Sequence, residues 1–338
     1  MHPYTLDVRN VAWYSVYEVG HRVTDRFDDV PIEAVGELTP RVFITGDACH
    51  TNSAKAGQGM NVSMQDGFNL GWKLGNVLEG ISPESLLATY SAERQVIAQK
   101  LIDFDKQWST LMAKKPEEVE SASELEDFYV GTAEFPAGFM TQYEPSMITG
   151  DSTHQSLATG FTVGKRFKSA AVIRVADAHR VHLGHHHRAD GRWRIYAFAD
   201  SISVEAPDLL AWAHWLSSDP ASPVLAHTRE GEDIDAVFDV KAIYRRSYAD
   251  IDVTTLPTVF LPRSGPLGLI DYEKVYAVDP RVNIFDERGI GRSGAVVVVR
   301  PDQYVAAVLP LDATDELATF FEPIMTARRT STLHAGVR

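Results

Sequence analysis

Cysteine is almost absent: Cys49 is the single thiol among 338 residues. One thiol closes no internal disulfide, assembles no cysteine-rich zinc site and excludes dithiol chemistry within the chain, which fits a reducing compartment. No run of about 18 apolar residues occurs, so no transmembrane helix is predicted. The opening Met1-His2-Pro3-Tyr4 lacks the charged and apolar regions of a signal peptide, and a cytoplasmic location is the expectation. Positive charge is scarce as well: 32 Lys and Arg against 46 Asp and Glu leave a formal net charge of −14, which repels nucleic acid and anionic lipid. Partners are therefore expected among small molecules and other proteins. No internal repeat or low-complexity tract is visible.

What is present reads as mixed α/β (α+β) in about two domains. Residues 11–23, VAWYSVYEVGHRV, predict a strand rich in aromatic and β-branched residues. It is apolar on both faces and needs a sheet to join, yet nothing before it supplies one. The sequence thus reads as starting inside a domain, through truncation or beside a separately encoded subunit. Residues 41–45 predict a short strand running into Gly46-Asp47, followed by a loop with Gly57 and Gly59 and a helix over 61–78. Ser82-Pro83 opens a long helix, with Leu86, Leu87, Tyr90, Ile97, Leu101, Phe104, Trp108 and Leu111 as its buried stripe. Between residues 114 and 153 the pattern weakens into acidic and Gly/Pro-bearing stretches, which places a domain junction there. The two domains are residues 1–150 and 151–330. In the second, strands are predicted over 193–198 and 236–243, with weaker candidates at 259–262 and 275–277. Helices are predicted over 207–216 and 314–325, and a hairpin joins 295–299 to 304–309 about Pro301-Asp302.

The segment 41–74 carries the chemistry. A dinucleotide cofactor needs its pyrophosphate neutralised, its sugar hydroxyls fixed and the charge of its reduced ring accommodated. Asp47, at a strand end, can accept hydrogen bonds from hydroxyls, and such charge-assisted bonds are the stronger kind. Gly57 and Gly59 let the backbone approach a ligand where a β-carbon would clash. The helix start after Gly59 offers free N–H groups and the positive end of a dipole.

The string Gly46-Asp47, Ala48-x-His50, Gly57-Gln58-Gly59-Met60-Asn61, Asp66 and Asn69-Leu70-x-Trp72-Lys73-Leu74 resembles the flavin-dependent aromatic hydroxylases. Within them it is most similar to the phenol 2-monooxygenase and 3-hydroxybenzoate 4-monooxygenase group. Supporting matches are residues 15–20, Tyr90-Ser91-x-Glu93-Arg94, and Arg300-Pro301-Asp302-x-Tyr304-Val305, so the resemblance covers nearly the whole chain. It implies the C-terminal part of an FAD-dependent hydroxylase catalytic domain followed by a thioredoxin-like domain that supports a homodimer. It also implies a flavoprotein monooxygenase, reduced by NADPH, that uses O2 to hydroxylate a phenolic substrate through a flavin hydroperoxide.

By the same resemblance Gly46 and Asp47 hold the ribityl chain. Gly59, Met60 and Asn61 lie beside the pyrimidine edge of the ring, and Lys55, Ala56, Gly57 and Gln58 form the loop over it. His21 and Asn52 depart from the family pattern, where glutamine and histidine are expected. The proton-transfer residues, the NADPH motif and the GxGxxG turn for the ADP half of FAD are expected upstream of Met1. The alternative from another class is a non-catalytic binding or assembly module derived from such an enzyme.

Other features read as structural. Gly289-Ile290-Gly291-Arg292-Ser293-Gly294 matches GxGxxG by letter but leads into the strand Ala295-Val296-Val297-Val298-Val299, so no helix N-terminus faces a pyrophosphate. Cys49 reads as a small buried residue, and His50 either as a cofactor neighbour or as a turn cap. His179, His182, His185, His186 and His187 read as a strand end entering a turn, with no metal expected. Tyr14 and Tyr17 read as strand aromatics of the core, or as ligand contacts if one face of the strand borders an aromatic substrate.

Overall fold

The computed structural model describes residues 2–16, 20–53, 57–115, 118, 121, 123–132, 134, 138–200 and 205–326. In the first half, a two-stranded ladder pairs β1 (Arg22–Val23) antiparallel with β2 (His50–Thr51). Two long helices follow: α1 (Gly59–Leu78) and α2 (Ala88–Ala113), the latter entered through a 3₁₀ turn at Glu84–Leu87. The buried face of α1 holds Val62, Asp66, Asn69, Leu70, Lys73 and Asn76 at helical spacing. Four of these six residues are polar, so apolar periodicity alone under-reads the face. A short helix α3 (Glu124–Thr132) stacks Phe128 on Phe104 and Trp108 of α2, with ring centroids 5.8 and 5.7 Å apart.

The second half is a seven-stranded mixed sheet. Its elements in chain order are β3 (Ala171–Arg174), β4 (His179–His182), β5 (Trp193–Phe198), α4 (Pro207–Ser218), α5 (Pro223–His227) and β6 (Phe238–Tyr244). Then come the small separate ladder β7 (Arg263–Ser264) with β8 (Leu269–Ile270), β9 (Val275–Val278), α6 (Ile284–Glu287), β10 (Ala295–Val299), β11 (Val305–Leu309) and α7 (Thr314–Phe321). The spatial order is β11-β10-β5-β6-β9-β3-β4; β5, β6 and β9 run parallel and the remaining pairs antiparallel. Central strands are covered on both faces, which is why β10 reads AVVVV without alternation. One face packs Trp193, Leu209, Trp212 and Phe321; the other packs Phe161, Phe167, Tyr196, Phe198 and Phe285. Trp72 of α1 meets Trp193 edge-on at 6.0 Å and so joins the two halves. Among the described residues no helix is long and apolar enough to cross a membrane.

Four expectations are corrected. Residues 11–16 form no strand: Val11, Trp13, Tyr14 and Val16 are exposed, and Tyr17 lies outside the described residues. A period-two pattern makes a strand only beside a partner, and among the described residues the ladder here reaches only β1. Tyr14 is accordingly a surface residue and no part of the core. Residues 41–45 make a single bridge, Phe43 to Asp28, because the Asp29 carboxylate accepts the N–H groups of Arg41 and Val42 at 2.9 and 3.1 Å and competes with a ladder. Residues 259–262 form no strand: Val259 and Phe260 lie in a 3₁₀ turn, Thr258–Phe260, capped by Leu261 and flanked by Pro257 and Pro262, neither of which has an N–H for pairing. The closing helix ends at Phe321, and Ile324 and Met325 reach the core from the turn beyond.

Candidate cofactor site

Gly46 adopts φ +59°, the left-handed region that glycine tolerates, and a β-carbon there would stand 3.0 Å from the Ser63 side chain. Its N–H donates to Asp66 Oδ2 at 3.2 Å. This turn leaves Asp47 exposed on the wall of a cleft of 660 Å³. On the opposite side α1 begins at Gly59, whose β-carbon would meet Asn52 Oδ1 at 2.8 Å. The first N–H groups of the helix have no intrahelical acceptor, and the dipole adds partial positive charge at the cleft.

Of the residues predicted for the site, Gly46, Asp47, Gly57, Gln58, Gly59 and Met60 line this cleft. Asn61 does not; its Nδ2 donates to Gln58 Oε1 at 3.1 Å and so holds the loop residue that does. Lys55 and Ala56 lie outside the described residues. Thr45, Thr51, Asn52, Ser53 and Ser63 line the cleft too. Sequence reasoning missed their part in it, noting Asn52 only as a departure. Their one signal is a high density of small hydroxyl and amide side chains flanking the glycines. His21 stands apart from the cleft, with Nε2 2.9 Å from Asp105 Oδ2.

Beneath the cleft the side chains are buried and polar. Asp66 is wholly buried, and its carboxylate accepts from Arg94 Nε at 2.7 Å and meets His50 Nε2 at 2.8 Å. Burial works against that charge, yet the His50 hydrogen bond and the Arg94 guanidinium hold the Asp66 carboxyl below its ordinary range. His50 is therefore buried as an interior partner of Asp66. Cys49 is buried as predicted, its Sγ 3.2 Å from the Gly46 carbonyl, and burial pushes the thiol up to about 12. Cys49, His50 and Asp66 are the one convergent group of metal-type donors among the described residues. Asp66 is engaged by Arg94, His50 and the Gly46 N–H, and Cys49 Sγ lies against the Gly46 carbonyl, so the group braces the turn. Of the distal histidines, His179 and His182 are exposed on β4, the rings of His182 and His185 stack with centroids 5.2 Å apart, and His187 is buried with Nε2 3.2 Å from the Pro301 carbonyl.

A family model described as the phenol hydroxylase C-terminal dimerisation domain matches residues 141–329, and one described as an FAD binding domain matches residues 2–105. The chain belongs to the phenol hydroxylase family. The cleft lies wholly within the FAD-binding match, and the seven-stranded sheet within the dimerisation match. Among phenol hydroxylase relatives, 3-hydroxybenzoate 4-monooxygenase of Comamonas testosteroni is 50% identical over 97% of this chain and 53% of its own length. Phenol 2-monooxygenase fsqG of Aspergillus fumigatus is 34% identical over 97% of this chain and 54% of its own length. The chain thus spans about half the length of the curated relatives it matches. Among solved structures, the flavin-dependent monooxygenase PieE in complex with FAD and substrate aligns at TM-score 0.52 and 20% identity, over 90% of this chain and 49% of its own. That likeness establishes the shared fold.

Proposed function

We propose that this chain supplies the ribityl and ring-edge contacts of an FAD site in an aromatic-ring monooxygenase, and that the whole enzyme hydroxylates a phenolic substrate with O2 and NADPH. The observation that carries this reading is the cleft itself, where exposed Asp47 and the N-terminus of α1 face one space across two glycine turns. The residues present fit the cofactor. Asp47 accepts hydrogen bonds from ribityl hydroxyls, which Thr45, Thr51 and Ser63 can supplement. The N–H groups at Gly59 and Met60, with the helix dipole behind them, suit the negative charge of a reduced isoalloxazine ring. Bound there, the flavin supplies the oxygen-activating chemistry, while Asp66 and Arg94 keep the Gly46 turn in place from below.

The same proposal divides the chain near residue 150 and gives the second unit a thioredoxin-like fold and a homodimerising role. Support for the fold is the order β11-β10-β5-β6, a parallel β-α-β unit flanked by an antiparallel hairpin and closed by α7. The dimerisation match supports the role.

Asp47→Ala tests the site. Loss of charge-assisted hydrogen bonding typically costs about 1.5–3 kcal/mol, which corresponds to roughly tenfold to hundredfold weaker FAD binding. Asp47 is exposed, so far-UV circular dichroism and the urea midpoint should hardly change. Titration of the whole apoenzyme, with the upstream half present, by flavin fluorescence, beside a urea melt without FAD, reads both. An unchanged FAD affinity in Asp47→Ala would overturn the assignment.

A further inference from the structure

Helix α1, which begins at the cleft, and α2, which packs beside α1, both carry buried polar residues that no flavin contact explains. Arg300, in the turn after β10, is fully buried against them. Its Nη2 donates to Glu93 Oε2 of α2 at 2.9 Å and to Asp302 Oδ2 at 2.7 Å, its Nε to Asp302 Oδ1 at 3.0 Å, and its Nη1 to Glu93 Oε1 at 2.5 Å. Glu93 Oε2 also accepts from Lys73 Nζ at 2.9 Å and Asn69 Nδ2 at 2.8 Å, both on α1. Asn69 Nδ2 lies 3.2 Å from Asp302 Oδ2 as well. One guanidinium from the C-terminal sheet therefore gathers α1 and α2 at a single point.

From this geometry we infer that Arg300 is a positioning residue for the flavin cleft, clamping α1 and α2 so that the C-terminal unit sets where Gly59 and Gly46 stand. The inference rests on the flavin reading above. Two rigid routes lead from the clamp to the cleft. Along α1, Asn69 lies ten residues from Gly59, about 15 Å of helix at 1.5 Å per residue. Along α2, Arg94 follows Glu93 directly, donates to Asp66 at 2.7 Å, and Asp66 holds the Gly46 N–H. Arg94 Nη1 also donates to Tyr143 Oη at 2.9 Å, and the Tyr143 ring lies 4.7 Å from the Arg300 guanidinium carbon. Three cations (Lys73, Arg94, Arg300) and three carboxylates (Asp66, Glu93, Asp302) balance in this interior. An apolar interior of the same volume is commonly as stable as buried ion pairs. What the ions add is direction: a forked guanidinium against two carboxylates fixes the rotation of each helix, which apolar packing fixes less sharply.

The test compares wild type with Arg300→Lys, which keeps the charge and loses the fork, and with the double variant Arg300→Met/Glu93→Gln, which removes both charges. Three quantities are read: the melting temperature of this chain, amide hydrogen exchange at its residues 46 and 59–62 below the melting transition, and FAD affinity by titration of the whole apoenzyme carrying the same substitutions. The expected result is faster exchange at those amides and about tenfold weaker FAD binding in both variants, with the double variant melting below wild type because buried Asp302 also loses its guanidinium. Wild-type exchange at residues 46 and 59–62 in a folded variant overturns the inference, whatever its melting temperature, because a merely stabilising ion pair leaves the cleft unmoved. If the whole enzyme, with wild-type Arg300, binds no FAD at millimolar concentration, the flavin reading fails instead, and the exchange measurement on this chain still decides whether Arg300 positions the cleft.

Discussion

Replacing Asp66 by Asn removes one oxygen's charge from an interior that is otherwise unchanged in shape. In the native protein the wholly buried carboxylate accepts from Arg94 Nε at 2.7 Å and the Gly46 N–H at 3.2 Å, and lies 2.8 Å from His50 Nε2. Asn offers a single acceptor for these neighbours and turns an NH2 group toward one of them, donor against donor. Arg94 cannot escape by losing its proton, since guanidinium stays charged, and its remaining bonds are to Tyr143 Oη at 2.9 Å and the Val62 carbonyl at 3.4 Å. Removing one partner of a buried pair costs about 3–5 kcal/mol, a large share of the roughly 5–15 kcal/mol that holds a domain folded. Urea denaturation followed by far-UV circular dichroism should show the midpoint falling at unchanged slope. The sign of the pH dependence is fixed by the lowered carboxyl of Asp66. Its contribution is present above the ordinary carboxylate value of 3.8 and lost as pH falls below it, so the gap between wild type and variant should narrow in acid. A loss under about 1 kcal/mol at neutral pH, the size of an ordinary hydrogen bond, would refute the buried-pair reasoning.

Gly294→Ala should destabilise by about 2–4 kcal/mol in a thermal or urea melt. Its φ is +72° and a β-carbon would stand 2.4 Å from the Phe198 carbonyl oxygen; a loss below that of Gly57→Ala, where φ is +65° and nothing lies within 4 Å, would contradict this. Burial opposes the Glu93 charge, but Arg300 and Lys73 hold its carboxyl at about 2 against an ordinary 4.5. That stability is present above pH 4.5 and lost toward pH 2, up to about 3 kcal/mol, and an acid limb unchanged in Glu93→Gln would show the pairing to be idle. Burial brings Lys73 down to about 8 from 10.5, so between those values the unfolded chain binds more protons and the Lys73 contribution should rise with pH.

Where a residue's demand is local, the amino-acid sequence alone determined the outcome. The turns at Gly46 and Gly57 need positive φ, and α1 begins at Gly59, so the short string from Gly46 to Met60 already specifies a cleft with Asp47 on its wall. Strand β10 was legible because burial on both faces leaves an unbroken apolar run, and β5 and β6 because aromatic and β-branched residues dominate them in spite of the buried charges of Arg194, Asp239 and Lys241. The pseudo-dinucleotide string at Gly289–Gly294 was rejected by its neighbours alone, since a strand follows it. Tertiary structure decided everything that depends on a distant partner. Residues 11–16 alternate like a strand and stand exposed, because pairing requires a neighbour that local pattern cannot supply. Glu93 and Arg300, 207 residues apart, look in sequence like an ordinary helical acid and a turn arginine. Folding makes them one buried pair, for the physical reason that a charge taken out of water must find its partner wherever the chain brings one.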